Sequence, residues 1–236
     1  MSQKETSDAF KAFNNPDSLY FKIKQACSSE WHDYCHHEFV TGIQDGSLPL
    51  DCFKHYLQQD YLFLIHFARA YALAVYKSDS IADMRTASGS VSGILAEMNL
   101  HLDYCAEWGL SEEEVVSKPE SQATMAYTRY VLERGMAGDI LDLHVALSPC
   151  AVGYAEIGLR LINDPATQRE GNPYWQWIQT YGGEEFVSGS IRQVETLDQL
   201  AESRFNDGRM DSLCRTFKEA TRLEIGFWDM GWNKSF

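Results

Sequence analysis

Three residues of this sequence could between them run nucleophilic and acid–base chemistry, and each interrupts an otherwise apolar helical stripe. In the stretch 141–162, LDLHVALSPCAVGYAEIGLRLI, residues Leu143, Leu147, Cys150, Tyr154, Ile157 and Leu161 recur at helical spacing on one face. That face is apolar except where the thiol of Cys150 sits one turn before the phenol of Tyr154. Pro149 immediately precedes the thiol. A mid-helix proline withholds a backbone donor and crowds the carbonyl four residues back, which predicts a kink costing roughly 3 kcal/mol. Taken alone, Cys150 reads as a small hydrophobe in a core. Polar residues on the inner faces of other helices change that reading.

On the 50–76 helix, Phe53, Leu57, Asp60, Leu64, Phe67 and Tyr71 share one stripe, and Asp60 is its only charge. An unpaired buried carboxylate costs several kcal/mol, so it must be paired, hydrogen-bonded or protonated. Two readings follow: a structural pair with Arg69 or Arg129, or a hydrogen-bonding partner for a ligand. On the last helix, Phe217, Ala220, Thr221, Glu224, Phe227, Trp228 and Gly231 form an apolar and aromatic face with Glu224 at its centre. A glutamate there is expected to have a raised pKa, which suits general acid–base work near neutral pH. Tyr127 lies between Ala123 and Val131, and Tyr181 ends the segment WQWIQTY. A buried tyrosine usually needs a single hydrogen-bond partner and is structural on its own. Together, a thiol, two carboxylates and several phenols near helix middles form an acid–base–nucleophile set that a bundle would gather around a central cavity.

The set does not resemble a metal box. Di-iron bundles use Glu-x-x-His on inward faces; the nearest approach, Glu97-x-x-x-His101, has the wrong offset. The histidines, His66 and His144 among them, read as structural or exposed. No metal and no cofactor are expected.

The elements that must position these groups are helices. Residues 1–16 read as a flexible lead-in ending at Asn15-Pro16, and 17–236 as a single domain. Helical periodicity covers 18–44, 50–76, 84–108, 121–135, 139–163, 172–181, 184–205 and 208–232, and Ser111-x-x-Glu114 is a capping box before a short helix. Glycines and Asp45-Gly46-Ser47 punctuate the pattern. No stretch reads as a strand. The expected fold class is all-α, a single-domain multi-helix bundle of roughly eight helices with short connections.

Composition narrows the function. The chain has 236 residues, 44% of them hydrophobic, and a net charge of −14, which argues against nucleic acid and against anionic membranes as partners. No apolar run approaches the ~18 residues of a membrane span, and the first residues carry no apolar signal core, so a cytoplasmic location is expected. The six cysteines are scattered with no CxxC pair, a pattern of reduced thiols.

Four segments carry a resemblance: GIQDGSLPLDCFKHYLQQDYLFL, the Pro149-Cys150-x-x-Gly153-Tyr154 segment, NPYWQWIQTYGGEEF and ATRLEIGFWDMGW. The chain resembles the TenA family, the thiaminase II aminopyrimidine aminohydrolases of haem-oxygenase-like fold, from about Phe21 to Trp232. The resemblance implies roles position by position. Asp60 matches the aspartate that holds a pyrimidine's exocyclic amine and a ring nitrogen. Cys150 matches the nucleophile, placing the chain in the cysteine-bearing branch. Glu224 matches the glutamate facing the other ring nitrogen. Tyr154 matches the tyrosine one turn after the nucleophile, and Tyr127 and Tyr181 match pocket tyrosines. Phe63 stands where some members have a tyrosine, giving up a hydrogen bond but keeping a stacking ring, with Phe227 on the Glu224 face.

The implied reaction is covalent hydrolysis of 4-amino-5-aminomethyl-2-methylpyrimidine to the 5-hydroxymethyl product in thiamin salvage, with weaker cleavage of thiamin. The implied assembly is a homotetramer. Cys150 is mid-helix, so a helix N-terminus cannot activate its thiol; Tyr154, Tyr181 or Glu224 must help. The competing readings are a non-catalytic pyrimidine-binding or regulatory protein and, from another class, a haem or di-iron oxidase.

Overall fold

The computed structural model describes residues 9–236, with all side chains except those at positions 100, 103 and 104. Residues 1–8 of the expected lead-in lie outside the described residues. Residues 9–13 are helical, with Ala9 and Phe13 buried, and the Lys24 ammonium donates to the Phe13 carbonyl at 2.8 Å. The described residues contain no strand. The chain divides into two compact units: one holds the residues up to Leu48 with His144–Ile225, the other Pro49–Leu143 with Gly226–Phe236.

The first unit begins with α1 (Leu19–Ala26), α2 (Ser28–Cys35) and α3 (Glu38–Asp45). The periodicity over 18–44 predicts one helix, and the structure breaks it twice. Cys27 (φ −128°, ψ 39°) and His36 (φ −118°, ψ 22°) leave helical geometry. These are angles any L-residue can adopt, so no glycine or proline marks the breaks. His37 then restarts the helix by accepting from the Phe39 amide. The unit continues with α8 (Ile140–Asn163, from His144 on), α9 (Trp175–Tyr181), α10 (Glu184–Arg204) and most of α11 (Met210–Asn233).

An ion pair between a buried lysine and a half-buried glutamate ties α1 to α8. Lys24 Nζ lies 2.7 Å from Glu156 Oε1, which also accepts from Tyr20 Oη at 2.8 Å, while Trp31 Nε1 donates to Glu156 Oε2 at 3.3 Å. With several donors the carboxylate is well satisfied, the condition under which an ion pair withdrawn from water holds geometry. Helix α8 continues through Pro149. By length and composition it could cross a membrane, but 67% of that apolar window is buried in the protein, the pattern of a core helix.

In the second unit α4 (Leu50–Lys77) packs chiefly on α5 (Ile81–Glu107), then on α7 (Gln122–Ala137), with the short α6 (Glu112–Val116) beside it. Helix α6 carries the expected capping box between Ser111 and Glu114. Gln59, next to Asp60, bolts the start of α7 to α4. Its Oε1 accepts from the Ser121 amide at 2.8 Å and the Thr124 hydroxyl at 2.7 Å, and its amide donates to the Pro119 carbonyl at 3.0 Å. The chain end is held on α4 by Cys52 Sγ to the Trp232 carbonyl (3.1 Å), His55 to the Ser235 carbonyl (3.0 Å) and a Lys234–Asp51 ion pair.

Candidate active site

The expected site residues fall into two groups, one in each unit. The first unit holds Cys150, Tyr154, Tyr181 and Glu224; the second holds Asp60, Phe63, Tyr127 and Phe227.

In the first unit Cys150 is half-buried on α8, and Tyr154 follows one turn later, 4% exposed. Tyr181, at the end of α9, lies beside it: the two rings are 4.9 Å apart at 55°, and Trp177 stands 5.9 Å from Tyr154 and 4.6 Å from Tyr181. The approach of α9 to α8 depends on Gly158. A Cβ there would sit 2.4 Å from the Gly182 nitrogen and 2.4 Å from the Tyr181 carbonyl carbon, so any larger residue would drive Tyr181 away from Tyr154. Glu224, on α11, is 1% exposed. The Cys35 thiol is pushed well above its usual range by burial first and the Glu156 charge second, and Glu224 adds to the same rise.

In the second unit Asp60 is 5% exposed. Arg69 and Arg129 are not its partners, contrary to the structural-pair reading. Arg129 holds Glu120 in a two-pronged contact at 2.7 and 2.8 Å, and Arg69 lies 3.2 Å from His66. Asp60 Oδ2 instead faces the Tyr56 hydroxyl at 3.5 Å and His101 Nε2 at 3.6 Å. Burial pushes the Asp60 acid well above the usual carboxylate range, the Glu97 charge adds to this, and the Tyr56 contact opposes it. Burial also pulls His101 down to about 4. A neutral imidazole makes this no ion pair; His101 Nε2 lies 3.1 Å from the Leu57 carbonyl, to which it donates as the N–H tautomer. The sequence reading set His101 aside with the di-iron motif and did not single out Tyr56. Both were reachable by the rule that found Asp60: His101 follows Ile94 and precedes Cys105 on the buried side of α5, and Tyr56 precedes Asp60 by one turn.

Aromatic rings line the same region. Phe63 lies 5.0 Å from Tyr127, 5.6 Å from Phe227 and 5.3 Å from Phe67, and Tyr56 lies 6.0 Å from Phe227. A carboxyl that keeps its proton among such rings presents a donor and an acceptor side by side. That is the complement of a flat heteroaromatic edge bearing an amine next to a ring nitrogen. The first unit supplies a half-buried thiol one turn before a phenol that is in ring contact with a second, and a buried glutamate. Among the described residues no three His, Cys, Asp or Glu side chains cluster as a metal site would require.

Residues 24–234 match the model of the TENA/THI-4/PQQC family. An uncharacterized protein of Haemophilus influenzae is 42% identical over 210 residues, covering 89% of this chain and 97% of its own. The aminopyrimidine aminohydrolase of Halalkalibacterium halodurans is 35% identical over 219 residues, covering 92% of this chain and 95% of its own. Among solved structures, a TenA family transcription regulator from Silicibacter sp. TM1040 superposes with a TM-score of 0.85 at 43% identity, covering 89% of this chain and 95% of that one. A Shewanella denitrificans domain of heme oxygenase-like fold gives 0.70 at 16% identity over 90% of this chain and 91% of its own, a likeness of fold alone. The all-α architecture is therefore haem-oxygenase-like, and the chain belongs to the TENA/THI-4/PQQC family.

Proposed function

We propose that this chain is an aminopyrimidine aminohydrolase of the thiaminase II type, a hydrolase of C–N bonds that converts 4-amino-5-aminomethyl-2-methylpyrimidine to its 5-hydroxymethyl product for thiamin salvage. Thiamin is the weaker substrate. The enzyme class is that of the relative from H. halodurans. The observation that carries the substrate class is Asp60: a buried acid raised by desolvation, with Arg69 and Arg129 engaged elsewhere, among aromatic rings. Its proton can go to a pyrimidine ring nitrogen while its other oxygen accepts from the exocyclic amine. Phe63, Tyr127 and Phe227 supply apolar ring surface against which such a ring packs.

In this reading the Cys150 thiolate adds to the electron-poor C6 of the ring as Glu224 delivers a proton to N1, so no full charge builds on the ring. The ring electrons then expel the amine, carried in as its ammonium, from the C5 methylene as ammonia, and the proton that the incoming water sheds passes to solvent. Water adds to the exocyclic methylene, N1 returns its proton, and the C6–S bond breaks to release the alcohol and the thiolate. Splitting one displacement into addition and elimination lowers each barrier. Tyr154, one turn beyond the thiol, and Tyr181, in ring contact with it, are assigned to orient the leaving group and the thiolate. The reaction needs no cofactor.

The location is proposed to be cytoplasmic and the assembly a homotetramer. The broad exposed side of α5, with Leu95 53% exposed, is the face available to a second copy; light scattering showing a monomer would remove that assignment. The second reading, a pyrimidine-binding regulator, draws on the Silicibacter relative, a transcription regulator. Ammonia release from the aminomethylpyrimidine separates the two: turnover supports the hydrolase, and tight binding without ammonia supports the regulator.

A further inference from the structure

The residue that holds the nucleophile's backbone is neither on its helix nor among the groups assigned to the substrate. Tyr34, on α2, is fully buried, and its hydroxyl donates to the Pro149 carbonyl at 3.4 Å. That carbonyl belongs to the peptide bond that ends in the Cys150 nitrogen. The contact is made possible by a glycine one turn on. A Cβ at Gly153 would meet Tyr34 Cε1 at 2.4 Å, its hydroxyl at 2.8 Å and Cζ at 3.0 Å. Glycine inside a helix costs roughly 1 kcal/mol relative to alanine, and here the bare backbone is the seat of the Tyr34 ring. Behind Tyr34 the packing continues to another element of the site. Trp31 meets Tyr34 edge-on (5.4 Å, 71°) and stacks on Phe217 (5.4 Å, 27°). Phe217 lies on α11, two turns before Glu224 on the same stripe.

We propose that Tyr34 is a positioning residue for Cys150: its ring, seated on Gly153, and its hydroxyl, on the Pro149 carbonyl, fix the thiol's place on α8, and the Trp31–Phe217 stack ties that place to the helix of Glu224. The inference rests on Cys150 being the nucleophile of the proposed hydrolysis. A proline already deprives this turn of one helical hydrogen bond, the one to the Val145 carbonyl, so an outside anchor acts where α8 is weakest.

The test is Tyr34→Phe, which keeps the ring and removes the hydroxyl, compared with wild type and Cys150→Ser. Loss of one hydrogen bond that sets geometry should lower kcat by about five-fold, with KM and Tm held. It should also shift the rate of Cys150 alkylation by iodoacetamide by about three-fold or more, while Cys214 on α11 reacts as before. The alkylation rate needs no substrate, so it reads the positioning even if the pyrimidine assignment fails. Wild-type kcat and wild-type alkylation in Tyr34→Phe would overturn the inference, as would parallel losses in kcat, KM and Tm, which are the mark of a purely structural residue. Full turnover in Cys150→Ser would instead overturn the nucleophile assignment itself.

Discussion

Replacing Asp60 with asparagine separates what this carboxyl does for binding from what it costs the fold. Burial first and the Glu97 charge second push its acid well above the ordinary range. A carboxyl whose folded pKa exceeds its unfolded value of about 3.9 contributes stability that is complete below that unfolded value. The contribution is lost as pH rises through the folded value, because the native state alone still holds the proton. At neutral pH and above, Asp60 therefore weakens the fold relative to an uncharged isostere. The amide of Asp60→Asn is uncharged throughout and still offers an oxygen to Tyr56 at 3.5 Å and His101 at 3.6 Å. Relief of the strained acid is worth on the order of 1–2 kcal/mol, a Tm rise of about 2–8 °C for a chain of this size. The gain should be largest at pH 8 and vanish near pH 4. Pyrimidine affinity should move the other way. The amide keeps a donor and an acceptor but cannot give its proton to the ring nitrogen, a loss of about 1.4 kcal/mol or ten-fold. Thermal unfolding of both proteins from pH 4 to pH 8, with calorimetric titration of the hydroxymethylpyrimidine product, reads both effects. A Tm that falls at pH 8 would refute the buried-acid argument, and an unchanged affinity would remove Asp60 from binding.

Glu224→Gln should still bind the pyrimidine product and lose roughly 10²–10⁴ in kcat, the loss expected when a general acid–base is removed; retention of full kcat would exclude it from the proton transfer. Its loss should not add to that of Cys150→Ser in the double variant, since both groups serve one covalent step. Lys24→Met leaves the half-buried Glu156 without its 2.7 Å cation and should cost about 2 kcal/mol. The corresponding Tm fall is on the order of 5 °C by calorimetry, and an unchanged Tm would show that the Tyr20 and Trp31 donors suffice for the carboxylate.

Asp60 and Glu224 were legible because a charge on an apolar stripe has few physical explanations, and both are buried at mid-helix. What surrounds them was not. One candidate pairing, Asp60 with Arg129, fails because Glu120, nine residues before that arginine, lies within reach of both terminal guanidinium nitrogens. The true neighbours, Tyr56 and His101, are a phenol and a neutral imidazole. Neither balances a charge, so charge-matching along the sequence passes over them. The division of 18–44 into three helices was hidden for a local reason. Cys27 and His36 leave the helix without glycine or proline, and His37, an uncommon cap, starts the next one. Tyr34 was invisible from α8 because its seat is an absence, the missing side chain of Gly153, which acquires meaning once α2 is laid against it.

The central claim is that Cys150 attacks an aminopyrimidine. The direct measurement is ammonia release from 4-amino-5-aminomethyl-2-methylpyrimidine by wild type and Cys150→Ser, run beside peptide mass spectrometry of wild type alkylated with and without the pyrimidine. A serine hydroxyl near neutral pH is a far weaker nucleophile than a thiol that can reach the thiolate. The account predicts ammonia from the wild type, almost none from Cys150→Ser despite retained pyrimidine binding, and selective protection of Cys150 over the other five cysteines. Normal turnover by Cys150→Ser, or equal alkylation of Cys150 with and without the pyrimidine, would contradict it.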